Sequence, residues 1–395
     1  MVGVESVLRL RESEPFHIAR ERLDAADADH LLREYEGRID VEYPTPRTRW
    51  RWRLLSRGYV GSIPLPSGGR LVIDPKVAFA SIFRMLEHAY DLRSITFLKG
   101  RSRSGRIEEI YSHLADLLAR RVLDRARRGF HRVYIAHRER LGVVRGRIDL
   151  AEALRRPWQS TLPCEYHQFT ADIADNGILL WTLHTIVRQR ICTNGVEGRV
   201  RSAVRTLQGD VALRRYTAAD TVGRVYDRLN EDYQPLHALC RFFLENAGPT
   251  HEPGERSFLP FLVDMARLYE GYVASYLRSR LDPRLRLDAQ QSYALGPGGT
   301  PRITIDLVLR DRATDHTLAV LDTKYKLDLS PAAGDLQQIV AYAVARDCRH
   351  AVLIYPRALQ TPFNGRYGRS RVDVTTTLVS PDGAIGERLQ RYLNR

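Results

Sequence analysis

The sequence predicts an α+β protein of several domains: a β-rich N-terminal region, a mostly helical middle region and a C-terminal α/β domain. With 395 residues the chain exceeds one ordinary compact domain, so two or three are expected. Apolar and polar residues alternate over much of 1–100, whereas apolar residues recur at helical spacing over 105–129 and much of 164–245. After residue 256, helical and strand patterns follow each other closely.

The net charge indicates which partners are expected, and the cysteine content indicates whether zinc sites or disulfides are expected. The chain carries 61 Lys and Arg against 47 Asp and Glu, a net charge of +14, which favours a polyanion such as nucleic acid. An arginine-rich composition can also simply follow genome composition, so charge leaves both explanations open. The four cysteines form no C-x-x-C pair, which predicts neither a zinc site nor a disulfide framework. Without a signal-like or membrane-spanning apolar run, a cytoplasmic protein with no membrane contact is expected.

The first predicted domain, residues 1–130, is mixed α/β. Alternation near 52–73, interrupted by "LPSGG", predicts a β-hairpin. The preceding "RWRWR" is either a stacking surface for nucleic acid or a strand with one buried tryptophan face. The helical pattern of 105–129 ends at Gly129, which suits a helix C-terminus.

The second predicted domain, residues 131–250, is mostly helical. Its first part, 134–150, alternates like a short hairpin around Gly142 and Gly146. His184 and His237 lie on helical patterns without a partner at metal-site spacing, so packed or surface histidines are expected. The Pro- and Gly-rich stretch that follows, "NAGPTHEPGERS", predicts a linker.

The third predicted domain, residues 256–395, has the order αβββαβ. Apolar periodicity and turn residues predict its elements. In chain order they are a helix over 260–281, strands over 286–294, 302–309 and 318–325, a helix over 334–347 and a strand over 350–356.

The two central strands of this domain carry the chemistry. Pairing them antiparallel about residue 313 or 314 places Asp306 opposite residue 321 and beside Asp322, within about two residues. Alternation puts Lys324 on the face of Asp322 and turns Thr323 away. Two close carboxylates repel each other unless a cation lies between them, and oxygen ligands suit Mg²⁺, with Mn²⁺ as the alternative. An ammonium beside them could orient a water for phosphodiester hydrolysis.

A surface salt bridge at a hairpin end is the competing interpretation of D-x-K. Against it, Asp306 and Asp322 interrupt strongly apolar strands, where an unpaired carboxylate is costly. The choice of lysine also argues against it, because only four of the 61 basic residues are lysine. Lysine offers a compact point charge where arginine offers a planar fork. Lys326 falls on the same face, as a phosphate contact or a solvated side chain.

These residues resemble the PD-(D/E)xK nuclease core. "QIVAY" is similar to the Q-x-x-x-Y helix motif of its RecB-like branch, with Gln338 and Tyr342 on one helix face. Alternatively, Gln338 is the capping-box partner of Asp335. The family's usual proline before the first aspartate is Ile305 here.

More specifically, the chain resembles the McrC family, the nuclease subunits of McrBC-type modification-dependent restriction systems. The resemblance implies that Asp306, Asp322 and Lys324 are catalytic. It also implies that Glu270, at an acidic position of the first core helix, supports the metal, although a helix-surface carboxylate is the alternative. The motifs that carry it are "VGSIPLPSGGRLVIDPK", "FRMLEHAY", "LGVVRGRIDL", "YHQFTADIADNGILL", "RLNEDYQPLHAL", "LYEGYV" and "TIDLVL…LDTKYK…DLQQIVAYA…LIYP".

The resulting expectation is a Mg²⁺-dependent endonuclease subunit of an anti-phage restriction complex that cleaves modified double-stranded DNA. Resemblance implies that the N-terminal half docks on a hexameric McrB-like AAA+ GTPase or ATPase and stimulates it. The sequence does not decide which residues touch the partner, and a hairpin near 52–73 and the segment 134–150 are both candidates. The chain has no G-x-x-x-x-G-K-[ST] sequence, so it is not expected to hydrolyse NTP itself. The alternatives are a free-standing RecB-like repair nuclease and an adaptor whose nuclease domain is inactive.

Overall fold

The computed structural model describes residues 7–90, 107–189, 192, 194–246, 261–294, 302–387 and 389–390. Its contacts divide the chain into two compact units. The first combines Met1–Ile107 with Pro260–Arg395, and the second is Glu108–Leu259. These units cut the chain at other places than the three predicted segments. The predicted linker after Asn246 and the predicted turn at 296–299 lie outside the described residues.

The elements follow the chain in three groups. Up to residue 90 they are β1 (Val7–Arg11), β2 (Phe16–Ile18), a 3₁₀ turn (Arg20–Arg22), α1 (Ala25–Glu34), β3 (Ile39–Glu42), β4 (Trp52–Ser56), β5 (Tyr59–Pro64), β6 (Arg70–Asp74) and α2 (Phe79–Ala89). The middle group is α3 (Ile107–Arg128), β7 (Val133–Leu141), β8 (Arg147–Ile148), α4 (Leu150–Arg155), β9 (Leu162–Thr170), α5 (Ala174–Arg188), α6 (Asn194–Gln208), a 3₁₀ turn (Ala218–Thr221) and α7 (Tyr233–Asn246). The last group is β10 (Phe261–Asp264), α8 (Met265–Arg278), β11 (Leu285–Ala294), β12 (Arg302–Asp311), β13 (Thr317–Thr323), α9 (Ala333–Ala345), β14 (His350–Tyr355), β15 (Asn364–Arg366) and β16 (Asp373–Leu378).

The N-terminal strands form two sheets in the first unit, ordered β2-β4-β3 and β1-β6-β5-β10. The predicted hairpin is confirmed as β5 and β6, which pair antiparallel across the "LPSGG" turn. β4 belongs to the other sheet, where Trp52 is buried, while Trp50 lies outside the strand and is exposed. The "RWRWR" stretch therefore has one buried tryptophan, and its second tryptophan is not part of the strand.

The last strand of that second sheet comes from the far end of the sequence. β10 pairs antiparallel with β5, from Phe261↔Ser62 to Asp264↔Tyr59. The predicted helix over 260–281 therefore begins only at Met265, with the Asp264 carboxylate accepting hydrogen bonds from the Ala266 and Arg267 amides at 3.0 Å. α8 then packs on α2, where a Cβ on Gly271 would come within 3.2 Å of the Ala89 Cβ. A tight helix contact accounts for this glycine.

The C-terminal sheet has the order β11-β12-β13-β14-β16-β15. From α8 to β14 the elements follow the predicted order of helix, three strands, helix and strand. β11, β12 and β13 pair antiparallel, while β13, β14 and β16 run parallel. α9 covers one face, and its Ile339 and Ala343 are fully buried against this sheet. β15 and β16 are additions that the sequence patterns did not predict.

The second unit joins helices to a small sheet. The predicted hairpin over 134–150 is wrong, because β7 and β8 do not pair with each other but lie on either side of β9. Most of β9 falls in the region 164–245 that the sequence predicts to be mostly helical, but its nine residues form a strand that pairs along all of β7. Gly146 has a φ of +71° and passes against the backbone of β9, so no side chain would fit there. The helix ending at Gly129, which has a φ of +88°, is confirmed.

Among the described residues, no helix is both long enough and apolar enough to cross a membrane.

Candidate active site

The two predicted acids lie where β12 and β13 separate. The antiparallel hairpin is confirmed, and its last paired residues are Leu307 and Leu321. Continuing this register places Asp306 opposite Asp322, one residue from the predicted pairing with residue 321. The difference arises from a β-bulge between Leu309 and Arg310, which adds one residue to the register.

Beyond the last pair the side chains no longer follow strict alternation. Thr323 was expected to turn away from the acids, and this expectation is wrong. Its backbone amide and its hydroxyl both donate to Asp306 Oδ2, at 2.9 and 3.0 Å. Asp306 lies just beyond the last β12–β13 pair, and its carboxylate turns towards Thr323 on the neighbouring strand. The two hydrogen bonds hold one oxygen of Asp306 in place.

Asp322 is the most buried acid of the site, with 2% of its surface exposed. Lys324 Nζ lies 2.6 Å from Asp322 Oδ2. Burial and the nearby charge of Asp306 raise the pKa of Asp322 to about 6, against the opposing influence of Lys324. Burial disfavours the charged ammonium, but Asp322, Asp335 and Asp306 together raise the pKa of Lys324 above its ordinary value. The lysine therefore stays charged while the acids repel each other.

Glu270 reaches the same site from α8. Gln290 Nε2 donates to Glu270 Oε1, and Gln290 itself has a φ of +51° in β11. Burial raises the pKa of Glu270 to about 7, and the charges of Asp306 and Asp322 act in the same direction. Glu270 is thus electrostatically coupled to both strand acids, which a solvated helix-surface carboxylate would not be.

The helix α9 supplies partners for Lys324. Lys324 Nζ donates to Gln338 Oε1 at 2.9 Å, and Gln338 Nε2 donates to Tyr342 Oη at 2.7 Å. The capping-box interpretation of Gln338 is wrong, because α9 begins at Ala333 and the Gln338 side chain faces Lys324. Gln338 and Tyr342 therefore lie on one helix face, one turn apart, as predicted.

Lys326 has a protein partner. Its Nζ lies 3.0 and 2.9 Å from the two oxygens of Asp335, and Lys324 Nζ lies 4.0 Å from Asp335 Oδ1. Asp335 is buried in the first turn of α9, where a carboxylate is favoured by the helix dipole.

Sequence reasoning missed three contributors to this site: Thr323, Gln290 and Asp335. Asp335 alone carried a signal, since it precedes Gln338 by three residues and so shares its helix face. Gln290 and Thr323 carried none, because Gln290 departs from strand geometry with a φ of +51° and Thr323 acts through a contact with a residue 17 positions away.

The carboxylates of Asp306, Asp322 and Glu270 are the side chains that could bind a cation at this site. Among the described residues, no three His, Cys, Asp or Glu side chains converge closely enough to form a complete metal site by themselves. Asp322 is nevertheless buried beside Asp306 with Lys324 Nζ as its close cation, and burial and neighbouring acids raise the pKa values of Asp322 and Glu270. A small hard cation with carboxylate oxygens and waters as ligands would relieve this repulsion, so these residues fit Mg²⁺.

Comparison with known proteins agrees with this fold. The family model described as "McrBC 5-methylcytosine restriction system component" matches residues 54–356, more than half of the chain. The type IV methyl-directed restriction enzyme EcoKMcrBC of Escherichia coli (strain K12) is 21% identical over 264 residues, covering 64% of this chain and 74% of that protein. A chain in the refined half-complex of Thermococcus gammatolerans McrB AAA+ hexamers with bound McrC is 19% identical, with a TM-score of 0.61. That alignment covers 98% of this chain and 99% of the other, and at this identity it shows likeness of fold.

Proposed function

This chain belongs to the McrBC family of restriction system components, and we propose that it is the DNA endonuclease subunit of such a system. One observation carries the proposal: Asp306, Asp322 and Lys324 meet where two strands separate, and the acids are left in mutual repulsion. Together with the order helix, three strands, helix and strand, this arrangement supports a PD-(D/E)xK nuclease core.

In the proposed reaction Asp306 and Asp322 hold Mg²⁺, and Glu270 supports it directly or through a water. When bound, Mg²⁺ supplies a Lewis acid for the phosphate oxygens and lowers the pKa of a water. The Asp306 carboxylate is already oriented by Thr323, so it loses little freedom on binding a ligand.

Lys324 serves as the cation that orients the attacking water and offsets negative charge gathering on the phosphate. Its raised pKa keeps the ammonium protonated at neutral pH. The Gln338 carbonyl holds the ammonium at 2.9 Å, and Tyr342 holds the Gln338 amide in turn. Gln338 and Tyr342 therefore act by positioning Lys324. Lys326 pairs with Asp335, and a phosphate contact by Lys326 would require that pair to open.

The proposed partner is a McrB-like AAA+ NTPase hexamer that activates cleavage of modified double-stranded DNA. McrB hexamers with bound McrC occur in the structure of Thermococcus gammatolerans that this fold resembles. Of the two docking segments considered, 52–73 lies largely within sheets of the first unit, while the segment 134–150 carries exposed apolar side chains. Exposed apolar side chains often mark a partner surface, which favours the second segment. Its exposed members, with those of the adjoining chain, are Tyr134, Val143, Val144, Leu150, Leu154, Trp158 and Phe169.

The decisive experiment is co-purification with the product of the adjacent gene, followed by cleavage assays on methylated and unmethylated DNA. We expect cleavage that needs Mg²⁺, NTP and the partner together, and that Lys324→Ala abolishes. NTP hydrolysis by the complex should be stimulated equally by wild type and Lys324→Ala, which shows that the variant folds and docks.

Two results would refute the proposal. Strong cleavage of DNA ends without partner or NTP would identify a free-standing repair nuclease. Undiminished restriction in cells that carry Asp306→Ala or Lys324→Ala would identify an adaptor with an inactive nuclease domain.

A further inference from the structure

A third lysine lies next to the site. Lys76 follows β6, and its Nζ lies 3.1 Å from Oε1 of Glu12, the residue after β1. The Glu12 side chain is fully buried and that of Lys76 is 11% exposed. Burial raises the pKa of Glu12 against the opposing charge of Lys76. Both residues belong to the N-terminal part of the first unit, more than two hundred positions before the "DTKYK" segment.

This buried pair holds Tyr325, the residue between Lys324 and Lys326. Lys76 Nζ donates to the Tyr325 backbone carbonyl at 3.1 Å and lies 4.2 Å from the centre of its ring. The Tyr325 hydroxyl lies 3.5 Å from Glu12 Oε2. Tyr325 is thus contacted at its backbone, its ring face and its hydroxyl by one ion pair.

A lysine at position 76 suits these contacts with Glu12 and Tyr325. An ammonium has three donors, and those of Lys76 face Glu12, the Tyr325 carbonyl and the Ser13 hydroxyl, the last at 3.4 Å. The planar fork of arginine could not point at three such separate acceptors. This accounts for a lysine in a chain that otherwise prefers arginine.

Packing alone does not explain the pair. Replacing a buried ion pair by apolar residues of similar volume is often neutral or stabilising, so such a pair is weak evidence for stability. The pair does fix the direction of the neighbouring backbone, because the Lys76 ammonium donates to one carbonyl, that of Tyr325. The pairing of β13 with β14 ends at Thr323↔Ile354, and the Lys324 amide still donates to the Ile354 carbonyl at 2.8 Å. Lys76 then holds the next carbonyl along the chain, that of Tyr325.

We propose that Lys76 and Glu12 are positioning residues for the nuclease site: they anchor Tyr325 and thereby set where the Lys324 ammonium lies. The inference rests on the proposed role of Lys324 and extends the site to the N-terminal sheet. Three of the four lysines, Lys76, Lys324 and Lys326, then belong to or contact the segment 324–326.

The test uses the double variant Glu12→Gln/Lys76→Met, which removes both charges and keeps side-chain length. The matched control is Arg9→Met/Asp74→Asn, which removes a partly exposed ion pair on β1 and β6, the strands that precede Glu12 and Lys76. Reactivity of the Lys324 ε-amino group is measured by acetic anhydride labelling and mass spectrometry, with an added lysine peptide as the standard. Four lysines per chain keep the peptide map simple.

We expect the double variant to label at Lys324 about tenfold faster than wild type, because the ammonium is no longer held against its partners. In the complex, kcat for DNA cleavage should fall roughly tenfold to a hundredfold with an unchanged KM, as expected for a misplaced catalytic group. NTPase stimulation and the control variant should match wild type.

Labelling at the wild-type rate in a folded double variant would overturn the inference. If the double variant does not fold, Lys76→Arg keeps the pair charged while redirecting its donors, and the same faster labelling is expected. The labelling readout is independent of cleavage. Faster labelling in a protein that never cleaves DNA would support the positioning role while refuting the proposed function.

Discussion

Two buried aspartates, one in each compact unit, have pKa values that are shifted in opposite directions. Asp175 lies in the first turn of α5 and contacts Arg224, His131 Nδ1 at 3.2 Å and Asn230 Nδ2 at 3.4 Å. Burial alone would raise its pKa, but Arg224 and His131 outweigh burial and the pKa of Asp175 is lowered. Asp322 has one close cation and a second acid nearby, and its pKa is raised to about 6.

The difference separates a structural network from a chemical site. Around Asp175 the polar groups satisfy each other: Tyr233 donates to Asn176, and His237 lies between the Asp175 carbonyl and Tyr226. His237 is therefore a packed histidine, as predicted. A buried acid is consequently not a marker of function by itself. An acid whose partners leave its charge uncompensated is the stronger marker, because acids with raised pKa values are concentrated at functional sites.

The largest expected effect is that of Asp322→Asn on cleavage. If the proposed Mg²⁺ site is correct, the change removes one of its carboxylates and should lower the cleavage rate by at least about a thousandfold. The same change should raise the free energy of unfolding in metal-free buffer by about 1–2 kcal/mol at pH 7.5, because it removes a buried charge beside Asp306. Single-turnover cleavage and urea unfolding would measure the two effects. A variant that is less stable than wild type and still cleaves would contradict the assignment.

Asp175→Asn should do the reverse. Leaving Arg224 and its neighbours without their carboxylate should destabilise the protein by about 2–4 kcal/mol. Cleavage per folded molecule should stay at the wild-type value. The control is Asp210→Asn, which removes an exposed ion pair with Arg132 and should cost under about 1 kcal/mol. Equal stability of the two variants would show that the Asp175 network is not structural.

The raised pKa values predict how stability depends on pH. Those of Asp322 and Glu270 move from 3.8 to about 6 and from 4.5 to about 7, so the folded chain binds more protons than the unfolded chain in that window. The contribution of these acids to stability should therefore fall as pH rises from 5 to 7.5.

Thermal unfolding with EDTA and with Mg²⁺ at both pH values checks this dependence. Mg²⁺ should raise Tm more at pH 7.5 than at pH 5, because the ligands must be deprotonated. In Asp322→Asn/Glu270→Gln both the fall with pH and the Mg²⁺ effect should shrink. A Mg²⁺ shift of unchanged size in that variant would place the cation elsewhere.

The smallest expected effect belongs to the residues that hold Lys324. Gln338→Leu removes the acceptor for its ammonium and should lower the cleavage rate about tenfold. Tyr342→Phe leaves that acceptor in place and should cost only about two- to threefold. Steady-state cleavage by the complex measures both. If Tyr342→Phe proved the more damaging, Tyr342 would have a direct role that its contact with Gln338 does not explain.

The sequence by itself determined the local features of this protein. The αβββαβ order, the antiparallel pair around residue 313 and the placement of Asp306 beside Asp322 on neighbouring strands all followed from periodicity, turn residues and acids in apolar runs. These signals are readable because each depends on neighbours within a few positions. The bias against lysine added a clue to Lys324 that no single motif could provide.

Only the tertiary structure decided what depends on residues far apart in the chain. β10 completes a sheet begun two hundred residues earlier, β9 separates the expected hairpin of β7 and β8, and a bulge shifts the register that sets the acids opposite each other. The contact of Glu12 and Lys76 with Tyr325 belongs to the same class. Such contacts arise from packing between distant segments, and packing leaves no period in the sequence from which it could be read.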